Sequence, residues 1–172
     1  MKAVLMSIHP RWVKEIFVTK RKTIEVRKTY PKLDRPFIVY VYQTKHKGGK
    51  KIVSEVLNSV YGGGKVIGSF VCDRITCCQA YYGESGEKHL TNLFGCDVKN
   101  TCLTEHEMFD YIIGKDKKEG TGWLWHIAEQ KLFDKPRGLG EFLTPSGTGG
   151  VWGNRYLSRP PMSWYYIEAD ER

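Results

Sequence analysis

No stretch of the chain approaches the ~18 consecutive apolar residues that a membrane-spanning helix needs. The first apolar run, Ala3 to Ile8, stops at His9-Pro10, too early for a secretory signal, so a cytoplasmic location is expected. Cys-x-x-Cys is also missing. The five cysteines, Cys72, Cys77, Cys78, Cys96 and Cys102, are odd in number, which argues against a disulfide framework. With His89 and His106 nearby a zinc site is conceivable, yet the spacings match no usual ligand pattern; the expectation is reduced thiols, no metal and no cofactor. A phosphate-binding loop needs G-x-x-x-x-G-K followed by Ser or Thr. Gly64-Lys65 is followed by Val66 and Gly49-Lys50 by Lys51, so neither qualifies. A G-x-S-x-G nucleophile elbow is absent as well, since Gly83-Glu84-Ser85-Gly86 has the wrong spacing and Ser146 follows Pro145 in a turn-like context.

What the 172 residues do contain is the material for a core: 41% are hydrophobic and 13% aromatic, spread along the whole chain. That excludes disorder as the main state and suits one domain over 1–172. The net charge of +8 is unevenly placed. Residues 1–60 hold 14 Lys/Arg against 4 Asp/Glu, a net of +10, and the remainder carries −2. A basic region interleaved with aromatics is the footprint of a nucleic-acid binder, and a solvated lysine-rich surface is the bland alternative.

Along the chain, Ala3–Ile8 reads as a buried strand, and Trp12, Val13, Ile16 and Phe17 fall at helical spacing after Pro10. Thr23–Arg27 alternates with period two, which puts Thr23, Glu25 and Arg27 on one face and Ile24 and Val26 on the other. Phe37–Tyr42 and Val66–Cys72 are further strands, the latter continuing toward Ile75. Within the stretch from Lys45 to Lys65, between Gly48-Gly49-Lys50-Lys51 and Gly62-Gly63-Gly64-Lys65, Ile52, Val53, Val56 and Leu57 fit one short helix or a strand, and 83–102 is polar with weak periodicity. Thr104 and Glu107 have the form of a capping box, with Met108, Tyr111 and Ile112 as the apolar stripe and Gly114 as the stop. Gly122–Ile127 reads as a core strand, 136–140 as a turn and 144–163 as a long Gly/Pro-rich loop. Trp164–Glu168 closes the chain as a strand. Short strands with a few helices and no strand–helix alternation indicate an α+β, mainly β domain.

The richest constellation is Lys20-Arg21-Lys22-Thr23-Ile24-Glu25-Val26-Arg27-Lys28, a carboxylate set among cations. Lys22 with Glu25 would line a charged cleft for a base or phosphate, and a lysine close to other cations is a candidate base or nucleophile. The competing reading is a salt-bridge ladder on an exposed strand face, worth little energetically. Among the tryptophans, Trp125 and Trp164 suit the core. Trp152, flanked by Gly149, Gly150 and Gly153, is the candidate exposed stacking platform.

Met6-Ser7-Ile8-His9-Pro10, the helix from Trp12 to Phe17, and Lys22-Thr23-Ile24-Glu25-Val26-Arg27-Lys28 together resemble the opening of an ASCH domain. Phe37–Tyr42 and Lys65–Phe70 are similar to that family's next two strands, and Ser158–Tyr165 resembles the tail of its phage- and prophage-type members. The resemblance implies a PUA-like small mixed β-barrel with two or three short helices and a cleft beside the first helix. It also implies RNA or nucleic-acid binding. Some small members are amidohydrolases of N4-acetylcytidine that use a Lys, a Thr nucleophile three residues later and a distant Glu. Lys22 matches that Lys, but Glu25 stands where the Thr would be, and a carboxylate cannot replace the hydroxyl in that mechanism. Another branch is associated with ribonuclease action, and its positions do not map onto this sequence.

The leading expectation is therefore a cleft lined by His9, Lys22, Glu25 and Arg27 that receives RNA, other nucleic acid or a nucleoside. Lys20, Arg21, Lys28, Lys45, Lys47, Lys50 and Lys51 would supply phosphate contacts, and Trp152 a stacking surface. The alternative is a hydrolase of RNA or of a modified nucleoside with Lys22 and Glu25 as its catalytic pair. A third reading is a protein-interaction domain that uses the 144–163 loop.

Overall fold

The computed structural model describes residues 2–45, 63–93, 98–115, 117–145 and 156–169. Seven strands form one sheet: β1 (Lys2–Ile8), β2 (Ile24–Arg27), β3 (Phe37–Gln43), β4 (Lys65–Tyr82), β5 (Lys88–Thr91), β6 (Glu119–Arg137) and β7 (Trp164–Glu168). Helix α1 (Pro10–Phe17) follows β1, and helix α2 (Glu105–Ile113) precedes β6. The strand order is β2-β6-β4-β3-β1-β7, with β5 added along β4. β1 and β3 are parallel and the other ladders antiparallel. The α+β, mainly β class expected from the sequence is the one observed.

β1 is a continuous apolar run because both its faces are covered. Val4, Met6 and Ile8 face the cluster built with Val13, Ile16 and Phe17 of α1, while Ala3 and Leu5 face Tyr40, Phe142 and Ile167. α1 starts on the cap expected of a helix with Pro at its first position: His9 is the N-cap, and its Nδ1 accepts from Arg11 N at 3.2 Å. α2 carries the capping box read from the sequence, with Thr104 N donating to Glu107 Oε2 at 2.8 Å and Glu107 N donating to Thr104 Oγ1 at 3.1 Å. Its buried stripe is Met108, Phe109, Ile112 and Ile113. Tyr111, expected in that stripe, is instead 40% exposed, because the 3.6-residue repeat from Met108 returns at Ile112 and leaves Tyr111 on the flank.

Two strands outrun the sequence reading. β4 and β6 pair over most of their length, with register shifts at Val66/Gly68, Ser69/Val71 and Cys72/Ile75. Such irregularities bend a strand. The first half of β4 pairs with β3 and its last residues with β5, a strand inside the segment read only as polar. Glycines in both strands permit close approaches. A Cβ at Gly68 would lie 2.5 Å from the Lys131 carbonyl oxygen, and one at Gly122 would lie 2.6 Å from Ile112 Cδ1 of α2.

The sheet does not close by a ladder, since β2 and β7 are the ends of the path. Hydrogen bonds involving side chains instead tie β2 and the chain just after it to β1 and β7. Arg27 Nη2 donates to Ser7 O at 2.7 Å, Trp164 Nε1 donates to Thr29 Oγ1 at 3.0 Å, and Lys32 N donates to Tyr166 Oη at 2.7 Å. This side-chain seam is where the cleft opens. Trp125 is fully buried, as expected, whereas Trp164 is partly buried at the seam. Among the described residues no helix is long and apolar enough to cross a membrane.

Candidate functional site

Lys22 precedes β2 and folds back over it, its amide donating to the Glu15 carbonyl at 3.1 Å while Thr23 N donates to Asn100 O at 3.0 Å. These bonds fix the chain between the end of α1 and the turn before α2. Lys22 Nζ then lies 3.1 Å from Glu25 Oε2 and donates to Thr101 O at 2.6 Å. From the other side, Arg27 Nη2 meets Glu25 Oε1 at 3.0 Å. The three side chains are 2%, 8% and 11% exposed. An exposed ladder is thereby excluded: this is a buried cation–carboxylate–cation triad. The period-two pattern does hold, with Glu25 and Arg27 on the same face of β2.

Burial by itself would push the Glu25 carboxyl up. The charges of Lys22 and Arg27, with their hydrogen bonds, outweigh it and hold the group below the ordinary carboxylate range. The partners of Lys22 Nζ are a carboxylate, a carbonyl and, at 5.0 Å, the Trp12 ring. All three suit an ammonium in a charge-holding role.

The triad forms the floor of a cleft of about 250 Å³ lined by Ser7, His9, Trp12, Lys22, Glu25, Val26, Arg27, Leu103 and Tyr111. α1 supplies Trp12 to the wall, and α2 supplies Tyr111. Ser7 ties the cleft to the chain before β7: Ser7 Oγ donates to Pro161 O at 2.6 Å, Ser7 N donates to Ser163 O at 3.0 Å, and Arg27 Nη1 donates to Ser163 Oγ at 3.4 Å. A larger hollow of about 480 Å³ lies beside Arg137, Glu141, Phe142 and Tyr156. Its Arg137–Glu141 pair is solvent-accessible, the side chains being 24% and 52% exposed, so it lacks the desolvated charges that mark the cleft.

The fold thus brings His9, Lys22, Glu25 and Arg27 together as the sequence suggested. Lys28 does not line the cleft but stands beside its Tyr111 wall, its Nζ 5.6 Å from the centre of that ring. Arg21 does not join them. Its guanidinium is spent on Glu15, with Nε at 2.9 Å from Oε2 and Nη2 at 3.0 Å from Oε1. Lys20 is exposed, with a left-handed backbone at φ 54°. Lys45 is exposed at the end of β3, close to Gly64. Lys47, Lys50, Lys51 and Trp152 lie outside the described residues. Ser7, Trp12, Val26, Leu103 and Tyr111 join the cleft without having been marked for it by the sequence pattern. Trp12 had a legible signal, an aromatic two residues after Pro10 and one position off the Val13–Ile16–Phe17 stripe. Among the described residues no group of three or more His, Cys, Asp or Glu is placed to hold a metal ion.

No family model and no curated protein matches the chain. Solved structures do. A mutant of the ASCH protein from Zymomonas mobilis superposes with a TM-score of 0.60 at 18% identity, over 98% of this chain and 91% of that one. The ASCH structure from the same organism gives 0.59 at 18% identity, over 96% and 87%. With the sheet, the two α-helices of the described residues and the cleft between them on view, the chain has the fold of these ASCH proteins.

Proposed function

We propose that the chain is an ASCH-type module that binds RNA or another nucleic acid and takes one base into the cleft beside α1. The observation that carries this reading is the buried Lys22–Glu25–Arg27 triad on the cleft floor. A buried ion triad is weak support for stability, because apolar residues of the same volume often serve the fold as well or better. Its presence at the bottom of an aromatic-walled cleft favours a ligand. A base edge carries both donors and acceptors, and the triad offers both signs. A phosphate carries acceptors only and would be repelled by Glu25. The volume is below the 300–1,000 Å³ of typical small-molecule pockets and suits a single base.

The reading takes residues 1–172 as one domain acting in the cytoplasm, of the phage or prophage type that Ser158–Tyr165 resembles. Its test is a titration of the full chain with the four ribonucleosides and with single-stranded RNA across salt concentrations. Binding at low salt, abolished by the charge-free triple variant Lys22→Met, Glu25→Leu and Arg27→Met while it stays folded by circular dichroism, supports it; no affinity at low salt refutes it.

The 3.1 Å approach of Lys22 to Glu25 within a cleft keeps a second reading in play, a hydrolase of RNA or of an N4-acetylcytidine-type nucleoside. Two features weigh against it. General acid–base work favours a pKa near the operating pH, whereas two cations hold Glu25 low. The nearby Ser7 hydroxyl donates to the Pro161 carbonyl. Turnover of either substrate that disappears in Lys22→Ala and Glu25→Ala would establish the hydrolase, and no turnover by the parent protein would dismiss it.

A further inference from the structure

Building on the reading of the cleft as a base site, we propose that the ligand is an internal nucleotide of single-stranded RNA, with its flanking phosphates held by Arg11 and Lys28. Each of these cations is mounted on an aromatic wall of the cleft. Arg11, in the first turn of α1, has its guanidinium carbon 4.4 Å from the centre of the Trp12 ring. Lys28, just after β2, has Nζ 5.6 Å from the Tyr111 ring. A ring contact of this kind orients a cation without consuming its hydrogen-bond donors.

What separates these two from Arg21, Lys22 and Arg27 is the lack of a carboxylate partner, and what separates them from the exposed Lys20 is the ring each stands over. Arg21 is ion-paired to Glu15, and Lys22 and Arg27 to Glu25. Arg11 and Lys28 have no Asp or Glu oxygen within 4.0 Å among the described residues. Glu107, which feels the charge of Arg11, is engaged in its own capping box with Thr104. The floor of the cleft therefore suits a neutral, mixed-polarity group, while Trp12 and Tyr111 of its wall each hold a positive charge, one at α1 and one just after β2. A free nucleoside satisfies the floor and leaves both ring-held cations unused. A nucleotide inside a strand has one phosphate on each side of its sugar, which matches one cation on each of two aromatic walls. The cleft volume of about 250 Å³ leaves no room for a second base, so the strand has to cross the rim.

Isothermal titration of the full chain tests this with three kinds of probe: the four ribonucleosides, trinucleotides carrying each central base, and a trinucleotide with an abasic centre. The parent protein should bind its best trinucleotide at least tenfold more tightly than the matching nucleoside near 50 mM salt. Arg11→Ala and Lys28→Ala should each weaken the trinucleotide several-fold and lower the slope of log affinity on log salt by about 0.7 per lost phosphate contact. Nucleoside affinity should not change in either variant, and Lys135→Ala, an exposed lysine far along β6, should behave as the parent. Equal affinity for nucleoside and trinucleotide, or an unchanged salt slope in both the Arg11 and Lys28 variants, overturns the inference while leaving the base site intact. Equal binding of the abasic strand, or no binding of any probe, removes the base site and the inference with it.

Discussion

Replacing Glu25 with glutamine keeps the side-chain shape and removes the one negative charge between two buried cations. Lys22 Nζ and Arg27 Nη2 lie 3.1 and 3.0 Å from the carboxylate. At an effective dielectric constant near 20, each contact is worth about 5 kcal/mol of gross attraction. Desolvation offsets most of that while the triad is whole. Once the carboxylate is gone, the two cations repel each other with nothing between them, and breaking a buried pair in this way costs about 3–5 kcal/mol. That is a large share of the 5–15 kcal/mol by which domains are stable. With a urea m-value of about 2 kcal/mol/M, Glu25→Gln should lower the unfolding midpoint by about 1.5–2.5 M at pH 7 with m unchanged. The pH dependence carries the same sign. A carboxyl held below its ordinary value stabilises fully above the unfolded pKa near 4.5 and loses that contribution as pH falls through its folded value. The gap between parent and variant should therefore shrink in acid. A midpoint shift under about 0.5 M at pH 7 would refute the triad's electrostatics. The triple change Lys22→Met, Glu25→Leu and Arg27→Met separates stability from function. It should come within about 3 kcal/mol of the parent, since it removes all three charges and gains apolar packing but strands the Ser7 and Thr101 carbonyls that Arg27 and Lys22 satisfy, and it should bind none of the probes.

Ser7→Ala removes the donor to the Pro161 carbonyl and should cost about 1–3 kcal/mol, read as a fall in Tm of several degrees; an unchanged Tm would mean that the segment before β7 is held by other contacts. His126 is pushed below its ordinary pKa, chiefly by burial and then by Arg74. The unfolded chain therefore takes up the proton first, and stability should decline as pH drops from about 6.5 through the lowered folded value; His126→Gln should flatten that slope, and an identical slope would clear this histidine of the effect. Burial, with Asp73 beside it, pushes the Cys72 thiol up to about 12, so Cys72 should resist a thiol reagent at pH 8 until the chain unfolds, as mass mapping of the labelled sites would register. Rapid native-state labelling of Cys72 would contradict its buried setting.

The local devices were written plainly in the chain. Pro10 after His9 announces α1, Thr104 and Glu107 cap α2, and the alternation of 23–27 places Glu25 and Arg27 on one face, because each depends on residues a few positions apart. β5 was missed for the opposite reason. Lys88-His89-Leu90-Thr91 has little strand character and is held by pairing with Gln79–Tyr82 of β4. Tyr111 was misplaced because a three-residue step and a four-residue step both look helical until packing chooses one. The lengths of β4 and β6 were hidden because their register shifts interrupt the alternation that marks a strand.

By itself the sequence determined the class of the fold, the caps of α1 and α2, the concentration of positive charge in the first 60 residues and the identity of the central triad. Those properties are local or additive, and a chain carries them wherever it goes. Tertiary structure decided whether that charge lies in water or in the core, which sequence spacing cannot report. The burial of Lys22, Glu25 and Arg27 depends on contacts with Thr101, Ser7 and Ser163, which are tens to more than a hundred residues away. It also decided that the two ends of the sheet meet through side chains rather than a ladder, and that choice opens the cleft between α1 and α2.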